Sequence, residues 1–396
     1  MSRPGVAADA GVEAWSAGSD APPGYEWEPS SATLAARYGL PIERIVRFDT
    51  NTRPAPPELA ARLLAAGRFE PALSEYPPND YGPLATAAAA AYGVRTDELV
   101  VGAGADEILE LVAKAGLRAG DAAIVPSPTY AMYRVVTEQR GGHVLDVPRL
   151  GAAGGYALDV PAIRAAARRA TLVWLCDPNN PTGRQEPVGT IEAVLDGLAR
   201  DARADGRQAP LVAVDEAYAE FVERSALELL DRYPRLVVVR TLSKAYGLAG
   251  LRVGFALGRR PVVEPIERYR PPGPVSTVSA VVGAAALGEP AIARDFAAAT
   301  AAERERFAAG LTRLGWRPEP SVANFLLVRF EDPGAAAAAA EALLRRGLVP
   351  RTFGPGHPLA DALRLTVRTP VEDDRLLQAA AAHSKGVGAG GTGAAR

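Results

Sequence analysis

A chain of 396 residues exceeds what one hydrophobic core usually serves, so one large and one smaller unit are expected. Its 48% hydrophobic and 23% charged residues suit a soluble globular enzyme, and a net charge of −2 gives no electrostatic reason to bind nucleic acid or an acidic membrane surface. The lone Cys176 excludes an intramolecular disulfide framework and agrees with a cytoplasmic setting, and no apolar run is long enough to span a bilayer.

In chain order, residues 1–29 are rich in Gly, Pro and Ala and carry acids but no apolar stretch, which reads as an arm that orders against another surface and not as a signal peptide. A short helix at 31–38 closes at Gly39. A strand at 45–48 then runs into Asp49-Thr-Asn51-Thr-Arg53-Pro54, a polar turn in which the residue before proline is pushed extended, so Arg53 is expected to point off a loop. A helix at 58–67 precedes 76–82, which is too rich in turn residues to be core; Tyr76 and Tyr81 there read first as packing residues. An Ala-rich helix at 84–92 ends at Gly93. Residues 99–114 give strand, glycine turn and helix, and Gly104, Ala105 and Asp106 place free backbone N–H groups at the helix start, a ready anion site. The third glycine of a dinucleotide fingerprint is missing.

From residue 122, strands at 123–125, 144–147, 172–175 and 211–214 alternate with helices at 130–139, 160–169 and 191–198. Such alternation predicts an α/β fold with a mainly parallel sheet covered on both faces, whose ligands sit beyond the carboxyl ends of the strands. Three of those ends carry unusual residues: Tyr130 in Pro-Ser-Pro-Thr-Tyr, Asn180 in Asp-Pro-Asn-Asn-Pro-Thr-Gly, and Asp215 with Tyr218 in Asp-Glu-Ala-Tyr. Taken singly, they are a packing aromatic, a turn amide and a helix cap.

The next strand, beginning at Leu236, leads into Thr241-Leu-Ser243-Lys244 and then Arg252. Of 44 basic residues only Lys114, Lys244 and Lys385 are lysine, so arginine serves almost everywhere a surface cation would do. A guanidinium stays protonated and cannot act as an amine nucleophile, whereas a desolvated lysine can form an imine with a carbonyl. Lys244 is therefore a Schiff-base candidate, and Thr241, Ser243 and Arg252 suit a phosphate beside it. An aldehyde that carries a phosphate describes pyridoxal phosphate. That cofactor also needs a carboxylate for its ring nitrogen, a donor for its phenolic oxygen and an aromatic over one face. Asp215, Tyr218 with Asn180, and Tyr130 supply these in turn.

A Pro-rich connector at 268–277 leads to helices at 278–287 and 291–314, a strand at 324–330, a helix at 334–346, a strand at 363–370 and a helix at 372–383. This is a smaller α+β unit. The predicted division is 1–55 for the arm and the start of the smaller domain, 56–280 for the large cofactor-binding domain, 281–385 for the smaller domain and 386–396 for a disordered Gly-rich tail. Arg351 and Arg364 either clamp an anion in the cleft between the two units or are surface arginines in an Arg-rich chain.

From about residue 25 to 382 these motifs resemble, in the same order, those of fold-type I pyridoxal-phosphate aminotransferases, and specifically the histidinol-phosphate aminotransferase branch. The resemblance implies a large α/β domain with a seven-stranded, mainly parallel sheet sandwiched by helices, and a smaller α+β domain. It implies that Lys244 holds the cofactor covalently and then moves a proton, with Asp215 at the ring nitrogen, Tyr218 and Asn180 at the phenolic oxygen and Tyr130 over the ring. Gly104, Ala105, Asp106, Thr241, Ser243 and Arg252 would surround the phosphate. Tyr76 matches a residue that the family contributes from the neighbouring subunit, which implies a homodimer with a shared site. Tyr25, Asn51, Arg53, Asn180, Arg351 and Arg364 fall on the substrate side.

The implied reaction moves an amino group from histidinol phosphate, or a related anionic amine or amino acid, to a 2-oxo acid such as 2-oxoglutarate. A decarboxylase, lyase or cyclase on the same scaffold is the alternative, because fold does not fix reaction. The sensor half of a transcription regulator would need a basic DNA-binding domain in front, which the acidic arm does not supply. Three positions depart from the family pattern: Arg53 and its neighbour Thr52 replace an Asn and an acid, Arg368 replaces a Gly, and Gly273 stands where an aromatic is common. Two added cations and one lost aromatic imply a more anionic or differently shaped donor.

Overall fold

The computed structural model describes residues 24–25 and 28–390; most of the arm and residues 391–396 of the expected tail lie outside the described residues. Twelve strands are β1 (Val46–Arg47), β2 (Leu99–Gly102), β3 (Ala122–Val125), β4 (His143–Asp146), β5 (Leu172–Cys176), β6 (Leu211–Asp215), β7 (Leu236–Thr241), β8 (Gly254–Gly258), β9 (Arg317–Pro318), β10 (Phe325–Arg329), β11 (Leu348–Val349) and β12 (Ala362–Thr366). Seven of them form one sheet in the order β2-β8-β7-β6-β5-β3-β4, in which β8 alone runs against the others.

The strands of this sheet are apolar on both sides because both sides are covered. In β7, Leu236 and Val238 enter one hydrophobic cluster while Val237 and Val239 enter the cluster on the opposite face; in β6, Val212 and Val214 alternate with Leu211 and Ala213 in the same way. A continuous apolar run is therefore the pattern of a sheet sandwiched by helices. Helices come where expected, with shifted ends: Thr190–Ala204 extends six residues past the expected 191–198, and the last helix, Pro370–Gly390, continues into the Gly-rich stretch.

The sequence reading passed over β8. Its Gly-Phe-Ala-Leu-Gly is short and flanked by glycines, which mimics a turn, yet every residue is buried and Phe255 packs wholly inside. β8 has a consequence for the site. Gly254 pairs with Gly102 on one side and with Thr241 on the other, which draws the Gly102–Asp106 turn beside the end of β7. A Cβ at Gly254 would lie 2.4 Å from the backbone carbon of Gly104, so no larger residue permits this approach.

The smaller unit holds an antiparallel sheet, β12-β10-β9, and a parallel pair, β1 with β11. Its core gathers Phe307, Leu311, Trp316, Leu326, Leu365 and Leu376 around Val46 and Phe48 from the beginning of the chain. Residues 46–53 thereby pass between the two cores, and that passage puts Asn51 where both can reach it. Among the described residues no helix is long and apolar enough to cross a membrane.

Candidate active site

Strands β5, β6 and β7 end side by side, and their last residues, Cys176, Asp215 and Thr241, line a cavity of about 250 Å³. The same cavity is lined by Ala105, Asp106, Tyr130, Asn180, Tyr218, Ser243, Lys244 and Arg252 from loops of the large sheet, and by Tyr25, Asn51, Arg351 and Arg364 from the other side. Fourteen of the seventeen residues expected at the site thus line one cavity. A wider chamber of about 580 Å³ continues outward past Tyr25, Tyr130, Asn180 and Arg351.

The Lys244 amine is brought down to about 8, first by burial and then by the Arg364 guanidinium. Its Nζ donates to the Thr50 carbonyl at 3.3 Å and stands 5.7 Å from the centre of the Tyr218 ring. Asp215 is pushed up to about 6 by burial and is drawn back by two hydrogen bonds, from the Tyr133 hydroxyl at 2.8 Å and the Ala217 amide at 3.0 Å. Tyr133 is a residue the sequence reading missed. It is fully buried, stacks on Trp174 with ring centres 5.5 Å apart, and meets Tyr130 edge-on at 5.8 Å. An aromatic three residues into a helix looks like packing, and only the fold shows its hydroxyl on Asp215. Cys176, pushed up to about 12 by burial, is an inert thiol.

At the other end of the cavity the helix Gly104–Gly116 begins. Gly104 does not line the cavity; its φ of +82° and the guanidinium of Arg252, only 2.6 Å from where a Cβ would sit, make it the residue that lets the turn close under Arg252. Arg252 donates to Asp106 Oδ2 at 3.1 Å and Tyr130 donates to Asp106 Oδ1 at 2.9 Å, so Asp106 fixes both. Thr241 Oγ1 lies 2.9 Å from Ser243 Oγ. Helix-start amides, two hydroxyls and a guanidinium form an anion cradle. A nucleophilic amine, a buried carboxylate and this cradle, lining one cavity, fit the aldehyde, ring nitrogen and phosphate of pyridoxal phosphate.

Tyr218 is buried, and its hydroxyl accepts from Asn51 Nδ2 at 2.9 Å. Asn51 holds a left-handed φ of 52° and is secured by two groups of the smaller unit: its amide donates to Thr366 Oγ1 at 2.9 Å, and its carbonyl accepts from Asn324 Nδ2 at 3.0 Å. Arg364 is buried, donates to Asn180 Oδ1 at 2.6 Å and to the Asp49 carbonyl, and leaves its Nε without a partner. Arg351 sits beside it through a backbone bridge between the two residues.

Besides Gly104, two expected residues lie elsewhere. Tyr76 is 92% exposed on the surface of the chain. Arg53 turns away from the cavity: its guanidinium stacks over Phe296 at 4.6 Å, its stem fills the space beside Gly247, and it lines a separate groove with Glu58 and Arg62. Arg368 is likewise held inside the smaller unit, donating to the Arg47 carbonyl and Glu372. Gly273 has a φ of +65° and faces Pro77. Neither extra cation reaches the site, because a loop's sequence does not reveal the side to which its arginine swings.

A family profile, aminotransferase class I and II, matches residues 46–380. Histidinol-phosphate aminotransferase from Roseiflexus castenholzii is 37% identical over 355 residues, covering 87% of this chain and 91% of its own length. That from Xylella fastidiosa is 40% identical over 313 residues, 77% and 83% of the two chains. Among solved structures, histidinol-phosphate aminotransferase from Sinorhizobium meliloti in complex with pyridoxal-5'-phosphate superimposes with a TM-score of 0.79 at 25% identity, over 91% of this chain and 96% of its own. A profile that spans most of the chain and relatives at this identity settle the family: the protein belongs to the class I and II aminotransferases.

Proposed function

We propose that this chain is a pyridoxal-phosphate-dependent aminotransferase that takes an amino group from histidinol phosphate, or a related anionic amine or amino acid, and passes it to a 2-oxo acid such as 2-oxoglutarate. The observation that carries the reading is Lys244, the one lysine on the cavity wall, with its amine lowered to about 8 on the same wall as Asp215. Relatives named for histidinol phosphate support the donor class.

Pyridoxal phosphate, when bound, supplies an electron sink that lets the donor's α-carbon give up a proton. The chain's own residues do the rest. Lys244 would hold the cofactor aldehyde and, once released by the donor, would be a neutral amine able to accept the α-carbon proton at Nζ, becoming the ammonium, and to give it back; an amine lowered to about 8 suits both directions. Asp215, kept ionised by Tyr133 and the Ala217 amide, pairs with a protonated ring nitrogen. Tyr218 and Asn180 would bind the phenolic oxygen, and Tyr130 would cover one ring face. Ala105, Asp106, Thr241, Ser243 and Arg252 hold the phosphate, joined by Tyr76 of a second copy; the exposure of Tyr76 suits that role in a cytoplasmic homodimer. Arg364 and Arg351 receive substrate anions, Arg364 the carboxylate of the 2-oxo acid, while Tyr25 and Asn51 bound the substrate side. Residues 56–280 carry the cofactor, and the smaller unit brings Arg351 and Arg364 over it.

Single-turnover absorbance on the loaded enzyme tests the reading. Histidinol phosphate without acceptor should convert the visible cofactor band to that of the aminated cofactor and release the matching carbonyl compound. Release of carbon dioxide from an amino-acid donor, with the cofactor band restored, would overturn it.

A further inference from the structure

Two arginines face the cavity from the smaller unit, and they are not equivalent. Arg364 meets neutral acceptors, the Asn180 side-chain oxygen and the Asp49 carbonyl. Arg351 faces a carboxylate: its Nη1 lies 3.8 Å from Glu28 Oε1, with the two side chains 20% and 17% exposed. That same Glu28 oxygen accepts from the Thr352 amide at 3.1 Å and from Thr352 Oγ1 at 3.0 Å. Glu28 lines both the inner cavity and the outer chamber. Its carboxylate thus occupies a site with one cation, one backbone donor and one hydroxyl donor, a set that would serve the distal acid of a substrate equally well.

We propose that Glu28 is a specificity residue, an exchangeable anion that fills the Arg351–Thr352 site when the substrate's far end is neutral and yields it when that end is charged. The inference rests on the substrate reading above. The sequence separation supports exchange: Glu28 reaches Thr352 from 324 residues away, on a short segment before the helix Ser31–Tyr38, and not from the element that carries the arginine. The Glu28 carboxylate also lines the outer chamber, and an incoming anion takes over the Arg351 and Thr352 contacts that it gives up. A substrate with one carboxylate takes Arg364 and leaves Glu28 in place. A substrate with a second anion, the far carboxylate of a five-carbon diacid or a phosphate, takes the place of Glu28. The enzyme can then bind a donor and an acceptor of different charge in one cavity without moving either arginine.

Calorimetric binding to the loaded enzyme tests this without turnover, with glutarate as the dianion and butyrate as the monoanion. In Glu28→Gln, which keeps an oxygen for Thr352 but no charge to compete for Arg351, the ratio of glutarate to butyrate affinity should rise about tenfold, in line with a part-buried charge pair. Glu28→Asp should keep the ratio near that of the unaltered enzyme. An unchanged ratio in Glu28→Gln, or an equal change for both acids, overturns the proposal. If neither acid binds the unaltered enzyme, the substrate reading itself fails, which separates the two.

Discussion

The two sides of the cavity are built by different means. The centre of the sheet side is local: Asp215 and Thr241 end strands, and Ser243 and Lys244 follow within three residues, so position along the chain nearly determines position in space, although its anion cradle also joins Arg252 to Asp106 across 146 residues. The arginine side is assembled from afar: Asn51 meets Tyr218, Arg364 meets Asn180, and Glu28 meets Thr352, each across more than a hundred residues. The difference teaches where chemistry and selectivity reside. The sheet side is buried on both faces, which suits covalent cofactor chemistry, while the arginine side is held by contacts that, on the proposal above, substrates of different charge rearrange.

The largest effect should come from breaking the sheet side. Lys244→Ala removes the amine proposed to hold the cofactor and move the proton, and turnover should fall about 10⁴-fold with loss of the covalent cofactor absorbance. A cut on the arginine side should behave differently: Arg364→Gln should raise the KM for the 2-oxo acid about 100-fold while leaving the bound-cofactor spectrum intact. Equal damage to both spectra would erase the distinction between the two sides.

Stability should show the cost of the sheet side's function. In the cofactor-free protein the Lys244 amine titrates near 8, below its ordinary 10.5, so between those values the unfolded chain binds a proton that the folded chain does not. Stability should therefore rise with pH across that window, and the cost is fully present below it. Lys244→Met should stabilise the cofactor-free protein by roughly 3 kcal/mol at pH 7. In denaturant melts that advantage should shrink as pH climbs through the window and vanish near its upper end. The smallest effect concerns a cation outside both sides. Arg53→Ala should leave donor preference unchanged and cost about 1 kcal/mol through its lost stacking on Phe296.

Legibility followed the same division. Lys244, Asp215, Asn180 and Tyr218 were readable because each sits just past an apolar strand, and strand ends in a parallel sheet converge. β8 was lost because its two flanking glycines imitate a turn, although those glycines are what allow the Gly104 turn to lie against it. Arg53 was assigned to the substrate side, and Arg368 was counted as an added cation, because charge is visible in a sequence and side-chain direction is not. Tyr133 was missed for the opposite reason: its ring explains it fully until its hydroxyl is seen on Asp215. Glu28 gave no signal at all, since its meaning depends wholly on Thr352 and Arg351, far along the chain.

Asn51 joins the two sides through four hydrogen bonds and a left-handed backbone. Its side chain reads the Tyr218 hydroxyl while its main chain is gripped by Thr366 and Asn324. Any tilt of the smaller core that pulls those two residues away also drags the Asn51 amide off the tyrosine, freeing a lone pair on the phenol. One strained residue therefore works as a linkage that turns the posture of one core into the hydrogen-bonding state of an atom in the other.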